Sequence, residues 1–235
     1  HAAARGWVTA NPLNPKTLPE VVHSDETEAD KFLTREEAQA IISRMAKNHQ
    51  VPAQLMLGTG MRPAEMRALT VGDVYLDASQ PVVRITKAIR QDREKGERLG
   101  PPKSRRSVRS LGIPPSLIAA LKPHVDGRKG SEYLFPGKSG EWIPASTFTQ
   151  AFARGVKLAT EAELLTKKPG PYSLRHTHAS LMIDAGMDMY KLSRHMGHAT
   201  QKITEDTYVH LYPDAQYEAA NFAAIALGDT KALTA

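Results

Sequence analysis

The sequence predicts an α+β fold, mainly helical, with a small antiparallel β-sheet. Apolar residues recur at helical spacing in several stretches between Thr34 and Tyr208, most of them with a recognisable cap. Residues 81–112 instead alternate at period two and read as strands. No stretch is low in complexity, and no period of 20 to 50 residues repeats.

Composition bounds the function. The chain has 235 residues, 41% hydrophobic and 24% charged, which is ordinary for a globular protein with one large or two small cores. No apolar run reaches the roughly 18 residues of a membrane-spanning helix, so no membrane role is expected. Cysteine is absent, which excludes disulfides and thiol catalysis and suits the cytoplasm. The formal net charge of +6 is compatible with a polyanionic partner. His176, His178, His195 and His198 are close in sequence, but no Cys or carboxylate is placed to complete a zinc set with them, so neither a metal nor another cofactor is expected.

Residues 1–31 read as a connector: Asn11-Pro12, Asn14-Pro15 and Pro19 break regular structure, and Asp25, Glu26, Glu28 and Asp30 form an acidic run. Thr34 then opens a helix with Glu37 completing a capping box, and Ala38, Ile41, Ile42 and Met45 form its apolar stripe. A second apolar segment, Val51 to Leu57, runs into Gly58-Thr59-Gly60. Arg62 follows at a helix start, because Pro63 suits a first helical turn. Free backbone N–H groups there favour a phosphate.

Within 81–112, Val83 and Ile85 mark one strand, and Val108 and Leu111 a second. Between them the residues read as a long, charged, turn-rich loop, D-R-E-K-G-E-R-L-G-P-P-K-S-R-R-S. Further helices are expected at Pro115 to Leu121, from Ser146 with Phe148, Phe152 and Gly155 on one side, and at Pro213 to Leu227, an Ala-rich amphipathic segment.

The stretch from Tyr172 to Tyr208 carries the chemistry. Leu174, Thr177, His178, Leu181, Met182 and Ala185 share one helix face, with Ser173 as a cap and Gly186 at the end. Asp188 caps a second short helix that Gly197 closes, and Thr200 caps a third that holds Tyr208. Arg175, His198 and Tyr208, on or beside these helices, suit attack by a phenol on a phosphate. His178 lies on this apolar stripe and His176 points elsewhere on the helix, and both are expected to be packing histidines.

The ordered set L-R-H-T-H-A-S-L, G-M-D, L-S-R-H-M-G-H and T-E-D-T-Y-V-H resembles the C-terminal half of the catalytic domain of tyrosine site-specific recombinases, the phage-integrase family. Upstream, G-T-G-M-R-P-A-E-M-R-A-L, residues 58–69, is similar to the family's first-arginine motif. The resemblance spans roughly residues 32 to 212. It implies residues 1–31 as the linker remnant of an N-terminal core-binding domain and 32–235 as the catalytic domain with its C-terminal helix. It also implies a β-hairpin within 81–112 that delivers a lysine, Lys103 by position.

The implied activity is site-specific recombination through a 3′-phosphotyrosine, as in phage or mobile-element integration and excision. The alternatives are a DNA-binding module of the same fold without turnover, and strand passage like that of type IB topoisomerases. Arg62 and Arg175 would neutralise the phosphate, His198 would add a donor, Tyr208 would attack, and Lys103 would protonate the leaving oxygen. Glu65 would orient an arginine, and Arg105, Arg106 and Arg109 would hold DNA backbone. Tyr172 stands where the family usually has a histidine base, which leaves the group that deprotonates Tyr208 open. The implied partners are double-stranded DNA, a tetramer of the chain on DNA, and accessory bending or directionality factors.

Overall fold

The structure is a computed structural model that describes residues 31–92, 94–102, 104–198 and 200–211. The expected connector and the Pro213–Leu227 helix thus fall outside the described residues, except for Lys31, which is helical.

Eight α-helices and five strands are formed among the described residues. The helices are α1 (Arg35–Arg44), α2 (Lys47–Thr59), α3 (Pro63–Met66), α4 (Pro115–Val125), α5 (Ala145–Glu161), α6 (Ser173–Asp184), α7 (Met189–Met196) and α8 (Gln201–Tyr208). The strands are β1 (Val74–Tyr75), β2 (Val82–Ile85), β3 (Ala88–Asp92), β4 (Gly96–Gly100) and β5 (Arg109–Gly112).

Local chemistry sets the helix ends. Thr34 accepts from the Glu37 N–H at 3.1 Å, and the Glu37 carboxylate accepts from the Thr34 N–H at 2.8 Å, the reciprocal box expected from the sequence. Asp188 accepts from the Lys191 N–H and opens α7. Ser173 does not cap α6: it is the first helical residue, and its hydroxyl donates to the Gly170 carbonyl at 2.7 Å.

Beta structure forms two antiparallel sheets. In the order β1-β2-β5, Val83 pairs with Leu111 and Ile85 with Arg109, and the apolar members of these pairs enter the core. The second sheet is the β3–β4 hairpin, from Ala88 opposite Gly100 to Asp92 opposite Gly96. It occupies the charged stretch that reads as a loop, because few of its side chains are apolar enough to reveal period two. Asp92 Oδ1 accepts from the Glu94 and Lys95 N–H groups to shape the turn. Glu97 ties the hairpin to the body, accepting from Arg67, from the Trp142 indole at 3.1 Å and from the Ala145 N–H at the start of α5 at 3.1 Å.

The main core runs from Leu33 through Phe148 and Phe152 to Leu174 and includes the predicted stripe Ala38, Ile41, Ile42 and Met45. A smaller core gathers Ala179, Ile183, Leu192, Met196 and Tyr208, with Phe32 packed on it. The long helix α5 crosses α1 at Gly155, where a Cβ would lie 2.7 Å from the Ile41 carbonyl oxygen and 2.9 Å from Met45 Cγ. Gly155→Ala is therefore expected to cost about 1–3 kcal/mol by overpacking. In a urea melt the midpoint should fall with the slope unchanged.

Candidate functional site

The site forms where two helices end. An α-helix leaves its last four carbonyls without helical partners and a partial negative charge at that end. Here the ends of α2 and α7 converge, and cationic or N–H-bearing side chains occupy most of their carbonyls. At the α2 end, the Gly60 N–H bonds the Met56 carbonyl, His178 Nδ1 donates to Leu57 at 2.8 Å, His195 Nε2 to Thr59 at 3.1 Å, and Arg175 to Gly60. At the α7 end, the His198 and Gly197 N–H groups bond the Ser193 and Arg194 carbonyls. Arg109 Nε donates to His195 at 2.9 Å, Arg175 to Met196 at 2.6 Å and Arg62 to Gly197 at 3.2 Å.

Two glycines make this convergence possible. Gly60 and Gly197 both adopt left-handed φ, +66° and +65°, as C-caps. Gly60 also sits too close to a neighbour for a side chain, and Gly197 is tightly enclosed. A Cβ on Gly60 would lie 2.4 Å from His178 Cδ2, and one on Gly197 3.1 Å from Arg109.

Arg175 is 1% exposed, yet it lines a cleft of about 390 Å³ together with Arg62, Tyr172, His176, His198 and Tyr208. Burial, and then the neighbouring Arg62, lower its pKa to about 10, so it remains charged near neutral pH. Arg62 caps α3 and is itself held by Glu65, which takes its N–H and its guanidinium at 2.9 Å each. Burial disfavours the charge on Arg62, but Glu65 and the adjacent Tyr172 together raise its pKa above the ordinary value. Glu65 is buried, which alone would favour its acid form; the Arg109 fork and then Arg62 hold its pKa below the ordinary carboxylate value instead.

Arg109 departs from the expectation of a backbone-contacting loop charge. Its side chain is 8% exposed and forms a two-pronged pair with Glu65 at 3.0 and 2.9 Å. The period-two pattern carried the signal, since Arg109 shares a strand face with buried Leu111. Arg106 is exposed and lines an adjoining cleft of about 560 Å³ with Val108, Tyr190 and Arg194. Lys103 and the side chain of Arg105 lie outside the described residues.

His198 Nδ1 meets the Thr204 hydroxyl at 2.6 Å. Burial first, and then Arg175, Arg62 and Arg109, push its pKa down to about 3, so the ring is neutral near pH 7. If Nδ1 accepts from Thr204, the proton sits on Nε2 and can be donated. Tyr208 is 1% exposed, its ring parallel to that of His198 at 6.4 Å. Burial outweighs the nearby arginines and raises its pKa to about 12.

His176 differs most from expectation. It does not point away from the site: its Nδ1 lies 3.0 Å from the Tyr208 hydroxyl. The signal was available, because His176 follows Tyr172 by four residues and therefore shares its helix face. His178 and His195 do pack as a pair, with their Nε2 atoms 2.9 Å apart. Since His178 donates from Nδ1, its Nε2 accepts, and the one His195 Nε2–H is shared between it and the Thr59 carbonyl. His176 thus meets Tyr208, His198 meets Thr204, and His178 and His195 meet each other; no group of three or more metal-capable side chains occurs among the described residues.

Two expectations follow. Burial and then His195 lower the His178 pKa to about 4, whereas the unfolded value is about 6.5. The unfolded chain therefore takes up this proton first. Its contribution, about 3 kcal/mol, is present above pH 6.5 and lost as the pH falls toward 4. Urea midpoints should drop through that window, less steeply in His178→Asn. Arg109→Ala leaves the buried Glu65 to Arg62 alone and should cost about 1.5–3 kcal/mol in the same assay. The salt dependence of any DNA binding should not change, whereas Arg106→Ala should lower that slope by about one.

The chain is 28% identical to a "Tyrosine recombinase XerC-like" protein of Caldanaerobacter subterraneus subsp. tengcongensis, over 91% of this chain and 59% of that protein. It is also 28% identical to the transposase from transposon Tn916 of Enterococcus faecalis, over 84% of this chain and 50% of that protein. The chain thus spans between half and three-fifths of these relatives' length. The Tn1549 transposon integrase, solved in complex with circular intermediate DNA, shares the fold, with a TM-score of 0.71, 24% identity and coverage of 96% of this chain and 76% of that one. Residues 31–214, most of the chain and the whole of the site, match the sequence profile of the phage integrase family, and the chain belongs to that family.

Proposed function

We propose that this chain is a site-specific DNA strand-exchange enzyme that cleaves and rejoins DNA through a 3′-phosphotyrosyl bond on Tyr208. One observation carries the reading: Arg62, Arg175, His198 and Tyr208, drawn from four separate segments, line one cleft. Phosphoryl transfer needs an in-line nucleophile and charge stabilisation on the equatorial oxygens. Arg62 and Arg175 supply planar, permanently charged donors, and His198 Nε2 a neutral one. The surroundings hold these groups in place before substrate arrives, so little reorganisation accompanies the reaction.

The phenolate of Tyr208 attacks phosphorus, the bond to the 5′ oxygen breaks, and that oxygen leaves with a proton. Lys103, just beyond the hairpin, is the proposed acid. A 5′-hydroxyl from a second strand then attacks the phosphotyrosine and releases Tyr208. The bond energy is conserved at each step, so neither ATP nor a metal is required. Double-stranded DNA is the substrate, with Arg105, Arg106 and the adjoining cleft along its backbone. We place the reaction in a bacterial cytoplasm, on a tetramer of this chain assembled on two sites, with accessory factors setting direction. Integration or excision of a mobile element is the process that the transposon-derived relatives favour.

Covalent trapping tests the reading. A pool of nicked duplexes with a randomised core loses its 5′-hydroxyl fragment on cleavage, so adducts accumulate and can be counted on a denaturing gel. The 235-residue chain should form adducts, and Tyr208→Phe none. Arg62→Ala should slow their formation by about 10²–10³ while retaining DNA binding. Binding without adduct would favour the turnover-free module.

A further inference from the structure

Within that strand-exchange reading, on which this step rests, we infer that His176 is the general base that removes the proton from Tyr208. The two groups are in direct contact, Nδ1 to the phenol oxygen at 3.0 Å, without an intervening residue. Their rings are 5.8 Å apart. The arrangement is held from several sides. Phe32 packs edge-on against both rings, at 5.9 and 6.1 Å, and Tyr172 lies 5.4 Å from the His176 ring. His176 is anchored on α6 directly after Arg175, so the proposed base and the phosphate-binding guanidinium share one rigid element.

The other groups facing this contact are poorer bases. Tyr172 is a phenol, like the group it would deprotonate, so a transfer between them gains nothing. His198 has Nδ1 engaged by Thr204 and is buried near Arg175, Arg62 and Arg109, which disfavour a further positive charge. Arg62 and Arg175 are donors only. A base is needed, since burial pushes the Tyr208 hydroxyl up to about 12 and leaves only about one molecule in 10⁵ ionised at pH 7.

The step balances. The phenol O–H bond breaks and its proton moves to His176 Nδ1, while the oxygen lone pair forms the O–P bond. The P–O5′ bond breaks, and the 5′ oxygen leaves protonated by the acid of the preceding section. His176 ends as imidazolium. In rejoining it returns the proton to the departing phenol.

The test is the rate of adduct formation against pH in single turnover, on the nicked duplex pool, for wild type, His176→Asn and His176→Ala. Asn places an acceptor oxygen near the Nδ1 position but cannot take up a proton. Thermal melts and DNA binding establish that each variant folds. The wild-type rate should rise with pH and level off as His176 becomes neutral. Both variants should lose about 10²–10⁴ near pH 7 and keep rising with pH, without a plateau, as hydroxide substitutes. Added imidazole should restore part of the activity of His176→Ala. Wild-type rate and profile in His176→Asn would make His176 a positioning residue and overturn the proposal. Faster cleavage by His176→Ala would make the contact a restraint on Tyr208, which also overturns it. Absence of adduct from the wild type would instead reject the strand-exchange reading itself.

Discussion

A buried guanidinium is tolerable only where negative partial charge surrounds it, and that constraint shapes this molecule. Arg175 is 1% exposed and has no carboxylate of its own; its hydrogen-bonded partners are the carbonyls of Gly60 and Met196. Both lie at helix C-termini, where unsatisfied carbonyls and the helix dipole favour a cation. The dependence is mutual. The ends of α2 and α7 need donors, and Arg175 supplies one to each. Arg62, Arg109, His178 and His195 follow the same rule on neighbouring carbonyls. The groups that would meet a phosphate, Arg62 and Arg175, therefore also join the two helix ends.

The charge balance follows from this frame. Arg62 and Arg109 pair with one buried carboxylate, Glu65, Arg109 with two prongs, and Arg175 feels that carboxylate only through space. Burial first, and then this excess positive charge, lowers the pKa of Arg175 and of His198. A phosphate entering the cleft would relieve that excess. The same charge does not by itself ionise Tyr208, because burial of the phenol outweighs it. The separation is physically sensible: one set of groups neutralises the phosphate, and a different contact handles the proton.

Much of this was legible in the residues. Thr34 and Glu37, Asp188 and Gly197 mark ends that the structure shows with the expected cap geometry. The stripe from Ala38 to Met45 is buried as its spacing implies. Arg62, Arg175, His198 and Tyr208 do come to one cleft. The misreadings have physical causes. Arg109 lies among loop charges, and its partner Glu65 is 44 residues away, a pairing that no local pattern reports. The β3–β4 hairpin, which the resemblance implied, is polar on much of both faces, so alternation alone could not reveal it. His176 was read as lying off the apolar face of α6. That face is poorly defined, because Ser173, Leu174, Arg175, Thr177, His178 and Ala179 are all buried. Its contact with Tyr208 comes from α8, 32 residues on, and depends on how three short helices fold back together.

The most direct test of the preformed cluster is a structure of the chain on nicked DNA with vanadate in place of the scissile phosphate. The account predicts Tyr208 and the 5′ oxygen at the two apical positions, with Arg62 and Arg175 on equatorial oxygens. Arg175 should still donate to the Gly60 and Met196 carbonyls. A vanadate bound with Arg175 swung off those carbonyls, or with the ends of α2 and α7 separated, would contradict it.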